Sequence, residues 1–169
     1  WPNANFPEGS TLQETDWKIE EVERELRAQV ELVLKHLPQT SHMTMRMGAL
    51  SMNEASRKLY RKLGKDYGLD IFTDDYEVRR LPFKNDRSLT IDEQAKLLAN
   101  ALEQAAPGTY MMVTHPAHDT PEQQSVNLIG KPPVEGNRQQ DVDLLTHPIV
   151  KTAIKDQGIQ LIGYRELPL

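Results

Sequence analysis

The chain has 169 residues, of which 38% are apolar and 27% are charged, and its formal net charge is -5. This composition is typical of one globular domain and excludes a disordered or fibrous chain. The mild acidity and the lack of a basic run argue against a nucleic-acid partner, and no apolar run is long enough to span a membrane. The absence of cysteine excludes disulfides and thiolate metal sites.

The chain begins with a predicted helix and a predicted strand. Apolar residues at helical spacing predict a helix over residues 17–36. Alternation with period two over residues 40–47 predicts a strand with two unlike faces. His42, Thr44 and Arg46 lie on its polar face, and three methionines lie on the other. The strand therefore presents a cation and an imidazole together.

A second helix is predicted over residues 52–67. Ser51 and Glu54 have the spacing of a capping box before it, and Gly68 stands where a helix commonly ends. The pattern then predicts short strands at 69–72 and 78–83.

A third helix and two further strands complete the pattern. Thr90 and Glu93 repeat the capping box and predict a helix that ends near Ala105. A strand over 110–114 leads into a polar segment from His115 to Gly136. The last predicted elements are a helix over 147–157 and a strand over 159–164.

The alternation of helices and strands indicates an α/β fold with a mostly parallel sheet or barrel. Such folds usually open on a strand, whereas this chain opens on a helix and its first residue is Trp1. We therefore expect either a longer parent chain that carries the initial strands or a partner that covers the open edge of the sheet.

Polar side chains follow the predicted strand over residues 110–114, at the edge where α/β folds bind ligands. The apolar run stops at His115, and His118 and Asp119 come next. Imidazole is a common acid, base or metal ligand near neutral pH. The structural alternative is that His115 caps the strand and that His118 and Asp119 form a solvated turn before a helix at Thr120.

Two arginines are further candidates for ligand binding. A guanidinium group cannot lose its charge and is costly to bury alone, so Arg46 needs a carboxylate, an anionic ligand or water if its strand is central. Arg138 lies in a predicted polar loop, where it is either a ligand or a salt-bridge residue. For His42 the structural alternative is a hydrogen-bonded packing residue.

The order of these segments resembles that of the YdjC-like carbohydrate deacetylases. The segment TSHMTMRMGAL over 40–50 is similar to their threonine–histidine strand, which typically reads T-H-x-x-S-H-M-G-x-L. The segment TYMMVTHPAHD over 109–119 resembles their strand that ends in His-Pro. The resemblance covers nearly the whole chain, with further similar segments at 21–30, 66–69, 138–139, 145–146 and 158–167.

The resemblance implies a (β/α) barrel-like fold related to the TIM barrel. This chain, as one α/β domain over residues 1–169, would form the carboxy-terminal part of that barrel. The implied reaction is hydrolysis of the acetamide of an N-acetylated sugar, often of the chitin type, with a divalent metal such as zinc or magnesium. The implied site residues are His115 as catalytic acid, His42 as metal ligand, and Arg46, His118 and Arg138 as substrate contacts.

Two departures from the family pattern concern the metal. The family's Asp-Asp motif and a histidine that follows it have no counterpart here and would lie before Trp1. In the preferred register, Met47–Leu50 matches the family's M-G-x-L, so Arg46 takes the place of a metal-binding histidine. Arginine has no free lone pair and cannot bind a divalent metal. The alternative register matches Ser41–His42 to the Ser-His pair and needs a four-residue insertion.

The leading hypothesis is a carbohydrate deacetylase that acts on a small carbohydrate, with a homo-oligomer as an alternative to a monomer. The second hypothesis is a non-catalytic relative that binds a carbohydrate or an anion and holds no metal. An unrelated α/β hydrolase is the weakest reading, because the sequence has no nucleophile elbow and no phosphate-binding glycine loop. We expect no nucleic acid and no membrane as partners, and the cytoplasm is preferred over a secreted or periplasmic location.

Overall fold

The computed structural model describes residues 16–51, 53–126 and 135–167. They fall into two compact units: the first unit contains residues 16–76 with 162–167, and the second unit contains residues 77–161. The described structure is mostly helical, with one small sheet of two parallel strands in the second unit. It is compatible with the predicted α/β class, while the barrel and the single domain remain predictions.

Among the described residues, strands alternate with helices only in the second unit, where two short strands flank one helix, so the predicted alternation is confirmed there alone. The helices are α1 (Ile19–His36), α2 (Glu54–Tyr67), α3 (Ile91–Glu103), α4 (Pro121–Gln124), α5 (Glu135–Thr146) and α6 (Pro148–Asp156). The strands are β1 (Arg79–Arg80) and β2 (Tyr110–Met111), and 3₁₀ helices lie at Arg46–Ser51, Thr73–Asp75 and Tyr164–Glu166.

Helices α1 and α2 of the first unit pack together and are linked by a network of ion pairs. Arg27 binds Glu23 at 2.7 Å and Asp66 at 2.6 Å, and Lys62 binds the same two carboxylates at 3.1 and 3.0 Å. Hydrogen bonds from Arg27 and Lys62 hold the pKa values of both carboxyl groups below their usual range. Because all four groups are largely solvated, the network mainly orients the two helices.

The segment after α2 folds back onto that helix. Gly68 ends α2 in the left-handed conformation, with φ of 66°, as the sequence predicts. The ring of Phe72 then covers Gly64, where an added Cβ would lie 2.5 Å from the Phe72 Cζ atom. The Arg61 guanidinium lies 4.3 Å from the ring centroid, and Tyr60 meets the ring edge-on.

The second unit is built on a strand–helix–strand arrangement. Strands β1 and β2 pair in parallel, with Arg79 opposite Tyr110, and α3 connects them. The predicted capping box of α3 is present, because the Thr90 side chain accepts from the Glu93 amide and the Glu93 side chain accepts from the Thr90 amide. The core between α3, α5 and α6 contains Ala95, Leu98, Leu144 and Val150.

Two predicted strands in the first unit are wrong. His42 forms only an isolated antiparallel bridge with Asp70, and Arg46–Ser51 is a 3₁₀ helix. Gly48 has a φ of 69°, and the Ser51 hydroxyl donates to its carbonyl at 2.7 Å, so local hydrogen bonding replaces an extended strand. Arg46 therefore does not continue a strand face with His42. The predicted strand over 69–72 reduces to the single bridge at Asp70.

Two further predictions need correction. The capping box of α2 is formed by Asn53 and Ser56, not by Ser51 and Glu54, because the helix begins two residues later than the pattern suggests. The predicted final strand over 159–164 is irregular and ends in a 3₁₀ helix. Its apolar residues are not covered as a buried strand requires, since Leu161 is 77% exposed.

Candidate functional site

The polar segment that follows β2 lies against helix α5. We name residues 115–119 the histidine loop, since it contains His115 and His118. The sequence pattern predicts a polar loop around Arg138, but this residue lies in α5. The helix forms because no proline interrupts it and because Leu144, near its end, is buried in the core of the second unit.

Three backbone amides of the histidine loop donate to α5. The His115 amide donates to Oδ2 of Asp141 at 3.0 Å, the Ala117 amide to the carbonyl of Arg138 at 3.3 Å, and the Asp119 amide to Oε1 of Gln139 at 2.9 Å. Every second amide therefore faces the helix. Pro116, between the first two, has no amide hydrogen and restricts the backbone further.

Asp141 is the acceptor for the first of these bonds, and its residue is only 3% exposed. Its Oδ1 atom accepts from Nη2 of Arg87 at 2.7 Å and from Nδ2 of Asn85 at 3.3 Å. The carboxylate thus joins the segment before α3 to the histidine loop. A charged group is rarely buried in a protein unless it has partners of this kind.

The structure brings three of the predicted site residues into one region of the second unit. The side chains of His115 and His118 are exposed, and Arg138 is half-buried in the helix that holds their loop. The predicted helix start at Thr120 is confirmed, since its hydroxyl accepts from the Gln123 amide at 3.2 Å. The loop therefore has a fixed backbone and exposed imidazoles.

The predicted metal ligand, His42, lies in the first unit and is half-buried. Its ring stacks on Tyr164, with centroids 3.8 Å apart and an interplanar angle of 5°. Its Nδ1 atom lies 3.1 Å from the Ser41 hydroxyl, which is a hydrogen-bonding distance. The Tyr60 hydroxyl donates to the carbonyl of Met43, the next residue, at 2.6 Å. His42 is thus held by its ring and by its neighbours.

Two titratable groups of this region have displaced pKa values. Burial lowers the pKa of His42, and the positive charge of Arg165 lowers it further. Burial also raises the pKa of Tyr60, with a smaller contribution from Tyr164. Both changes favour the neutral form near neutral pH, so His42 keeps a ring nitrogen with a free lone pair.

Arg46 also belongs to the first unit, as the first residue of its 3₁₀ helix. The prediction for its side chain lies outside the part of the chain that the structure describes.

The described residues do not supply a recognisable metal centre. Over 16–51, 53–126 and 135–167, no group of three or more histidine, cysteine, aspartate or glutamate side chains is placed to hold an ion. The described residues around the stacked ring of His42 include no such group. We therefore derive no chemical step through the expected divalent metal.

Sequence reasoning missed Asp141 and Tyr164. Asp141 lies three residues before Leu144 and four before Leu145, so a helical reading would place an acid on the apolar face and mark it as a paired buried charge. Tyr164 gives no such signal, because its stacking on His42 joins positions far apart in the chain.

In the part of the chain that the structure describes, no helix is both long and apolar enough to cross a membrane.

Comparisons with known proteins establish the family. A search of curated proteins found no match. The family model described as "YdjC-like protein" matches residues 2–156, which include His42, His115 and His118. The chain therefore belongs to the YdjC-like protein family.

Proposed function

We propose that this protein is a carbohydrate deacetylase that hydrolyses the acetamide of N-acetylated sugars to acetate and a free amine. The observation that carries the proposal is the family match over residues 2–156, since membership suggests a function of the carbohydrate-deacetylase type for the family as a whole. The barrel-like fold, with this chain as its carboxy-terminal part, belongs to the same proposal.

His115 is the proposed catalytic acid. Amide hydrolysis needs a proton for the departing amine, and imidazole supplies one near neutral pH. The exposed His115 side chain belongs to a loop whose backbone is hydrogen-bonded to α5. The side chain can therefore contact a substrate while its backbone stays in place. His118 and Arg138 are proposed to donate hydrogen bonds to the sugar, because they lie on the same loop and helix.

A divalent metal, zinc or magnesium, remains part of the proposal through the family resemblance. We propose His42 as its ligand in this chain, because the lowered pKa leaves the imidazole neutral. The described residues give no complete ligand set, so the roles proposed for His115, His118 and Arg138 are stated without the metal.

The alternative is a non-catalytic relative that binds a carbohydrate or an anion. One observation favours it: in the preferred register Arg46 occupies the position of a metal-binding histidine, and arginine cannot replace that ligand. Under this reading Arg46 would contact an anionic group.

The first test is release of acetate from N-acetylated chitin-type oligosaccharides. We expect turnover by the wild type and a loss of roughly 10²- to 10⁴-fold in kcat for His115→Asn, the range typical of a missing general acid. His36→Asn is the matched control, since His36 is an exposed residue at the end of α1 and should leave kcat unchanged. Equal activity of His115→Asn and the wild type would contradict the role of His115.

Elemental analysis separates the enzyme from the binding reading. We expect bound divalent metal in the wild type if it is an enzyme of the proposed kind. No metal in the wild type, but metal in Arg46→His, would favour the non-catalytic alternative.

A further inference from the structure

Among the residues whose side-chain burial the structure describes, Asp141 is the one charged side chain that is buried. A buried carboxylate is costly unless charged or hydrogen-bonded partners surround it. Both of its oxygens have such partners, and they differ in kind. Oδ1 faces the side chains of Arg87 and Asn85, whereas Oδ2 faces a single backbone amide.

That backbone amide belongs to His115. A carboxylate needed only for packing would be satisfied by the Arg87 side chain, at 2.7 Å from Oδ1. The bond from the His115 amide to Oδ2, at 3.0 Å, instead fixes the backbone atom next to the proposed acid. Because the acceptor is ionised, this bond is stronger than one between neutral groups.

The position of His115 in the chain makes this bond effective. The residue before a proline is confined to extended conformations, and Pro116 fixes the next φ angle. With the amides of His115 and Ala117 both bonded to α5, the remaining freedom of His115 is mainly the rotation of its side chain. Small displacements of a catalytic group are expensive, so such restriction raises the rate.

We propose that Asp141 is a positioning residue for His115, and that Arg87 holds Asp141 in the orientation that this requires. The chemical part of the proposal rests on the proposed function, in which His115 is the acid. The positional part, that the carboxylate fixes the His115 backbone, is independent of that function and has its own measurement.

Amide hydrogen exchange tests the positional part. In Asp141→Asn we expect the His115 amide to exchange roughly ten- to a hundred-fold faster, the effect of losing a hydrogen bond to a charged group. Asp143→Asn is the matched control on the same helix, because Asp143 is exposed and accepts a hydrogen bond from the Gln139 side chain. The Leu98 amide, in the core, reports any global loss of stability. Faster exchange at Leu98 by the same factor, or no change at His115, would overturn the proposal.

Arg87→Gln provides a second variant in case Asp141→Asn folds poorly. The Arg87 side chain is 34% exposed, and glutamine can still donate a hydrogen bond to Asp141, so we expect this variant to fold. We expect a smaller acceleration of the same His115 amide, since Asp141 remains but is less firmly held. No change at His115 in a folded Arg87→Gln protein would overturn the role given to Arg87.

A double-mutant cycle tests the catalytic part. Asp141→Asn should lower kcat by roughly tenfold to a hundredfold with little change in KM, because a displaced acid weakens the transition state more than substrate binding. In a His115→Asn background, Asp141→Asn should cost nothing further, since there is no acid left to position. The same loss in both backgrounds would overturn the catalytic part.

The two proposals fail in different ways. If the wild type releases no acetate, the proposed function fails, while selective exchange at the His115 amide still supports Asp141 as the residue that holds the loop. If acetate is released and the exchange of His115 is unaffected by Asp141→Asn, the proposed function stands and the positioning proposal fails.

Discussion

Two of the three candidate histidines, His42 and His115, are held in opposite ways. The ring of His42 is fixed, because it stacks on Tyr164 and lies at hydrogen-bonding distance from Ser41. The ring of His115 is exposed, and the structure fixes its backbone instead, through Asp141. A fixed neutral ring suits a ligand or a packing residue, whereas a free ring on a fixed backbone suits a group that moves a proton to a substrate.

The comparison teaches that burial of a histidine is a poor guide to its role. His42 is the better packed of the two and has the displaced pKa, yet no cluster of possible metal ligands surrounds it among the described residues. The His115 side chain is exposed, but one oxygen of a buried carboxylate accepts from its backbone amide. The support of a site residue is therefore sought at its backbone as well as at its side chain.

The largest effect on stability is expected at the support of His115. Asp141→Ala should lower the free energy of unfolding by about 1–3 kcal/mol, because it leaves Arg87, Asn85 and the His115 amide without their shared acceptor. Urea denaturation measures this loss. Asp143→Ala, the exposed control, should change it by less than about 0.5 kcal/mol. An equal loss of unfolding free energy in the two variants would mean that the hydrogen bonds of Asp141 do not stabilise the fold.

The second prediction compares the two side chains directly. His42→Ala should lower the free energy of unfolding by about 0.5–1.5 kcal/mol, the usual contribution of a stacked aromatic pair. His115→Ala should cost less than about 0.5 kcal/mol, because the side chain is exposed and the backbone bond to Asp141 remains. A lower denaturation midpoint for His115→Ala than for His42→Ala would contradict this prediction.

The third prediction concerns pH. The pKa of His42 lies below its ordinary value of 6.5 in the folded protein, so below about pH 6.5 the unfolded chain binds more protons at this site. The contribution of His42 to stability is therefore complete above this pH and is lost as the pH falls through the window below it. His42→Gln should remove this part of the pH dependence. Denaturation curves that have the same pH dependence in both proteins would contradict it.

The smallest effect is expected from Arg165→Gln. The charge of Arg165 is the second cause of the lowered pKa, after burial, so its removal should raise the pKa of His42 only part of the way to the ordinary value. NMR titration of the imidazole measures the change. Lys35→Gln, an exposed residue of α1, is the control with the same change in charge and should leave the pKa unaltered. A larger rise with Lys35→Gln would exclude a local effect.

The helices were predictable from the sequence, and most of the short strands were not. Helix formation depends mainly on residues close together in the sequence, so it can be predicted from apolar periodicity, from the Thr90 capping box and from Gly68. The structure confirms α1, the capping box of α3 and the end of α2. A strand depends on a partner. The predicted strand over 40–47 has the right alternation, but it pairs only at His42 and turns into a 3₁₀ helix.

The candidate site was predictable in its chemistry but not in its support. A histidine placed at the end of an apolar strand is visible as a candidate group in the sequence, and His115 is placed just after β2. The bond between its amide and Asp141 joins residues 26 positions apart, and backbone amides leave no mark on a sequence. The loop predicted around Arg138 is a helix for a similar reason, because its burial depends on a core assembled from distant segments.

The close contact between Phe72 and Gly64 has a consequence for protein engineering. Replacement of a glycine inside a helix by alanine is a standard route to a more heat-stable variant, because it removes conformational freedom from the unfolded chain. A score based on helix propensity would select Gly64 early, since it lies inside α2, before its last three residues. Here the new methyl group would lie 2.5 Å from the Phe72 ring, so the substitution would have to displace Phe72. This displacement would offset the stability gained from the higher helix propensity of alanine.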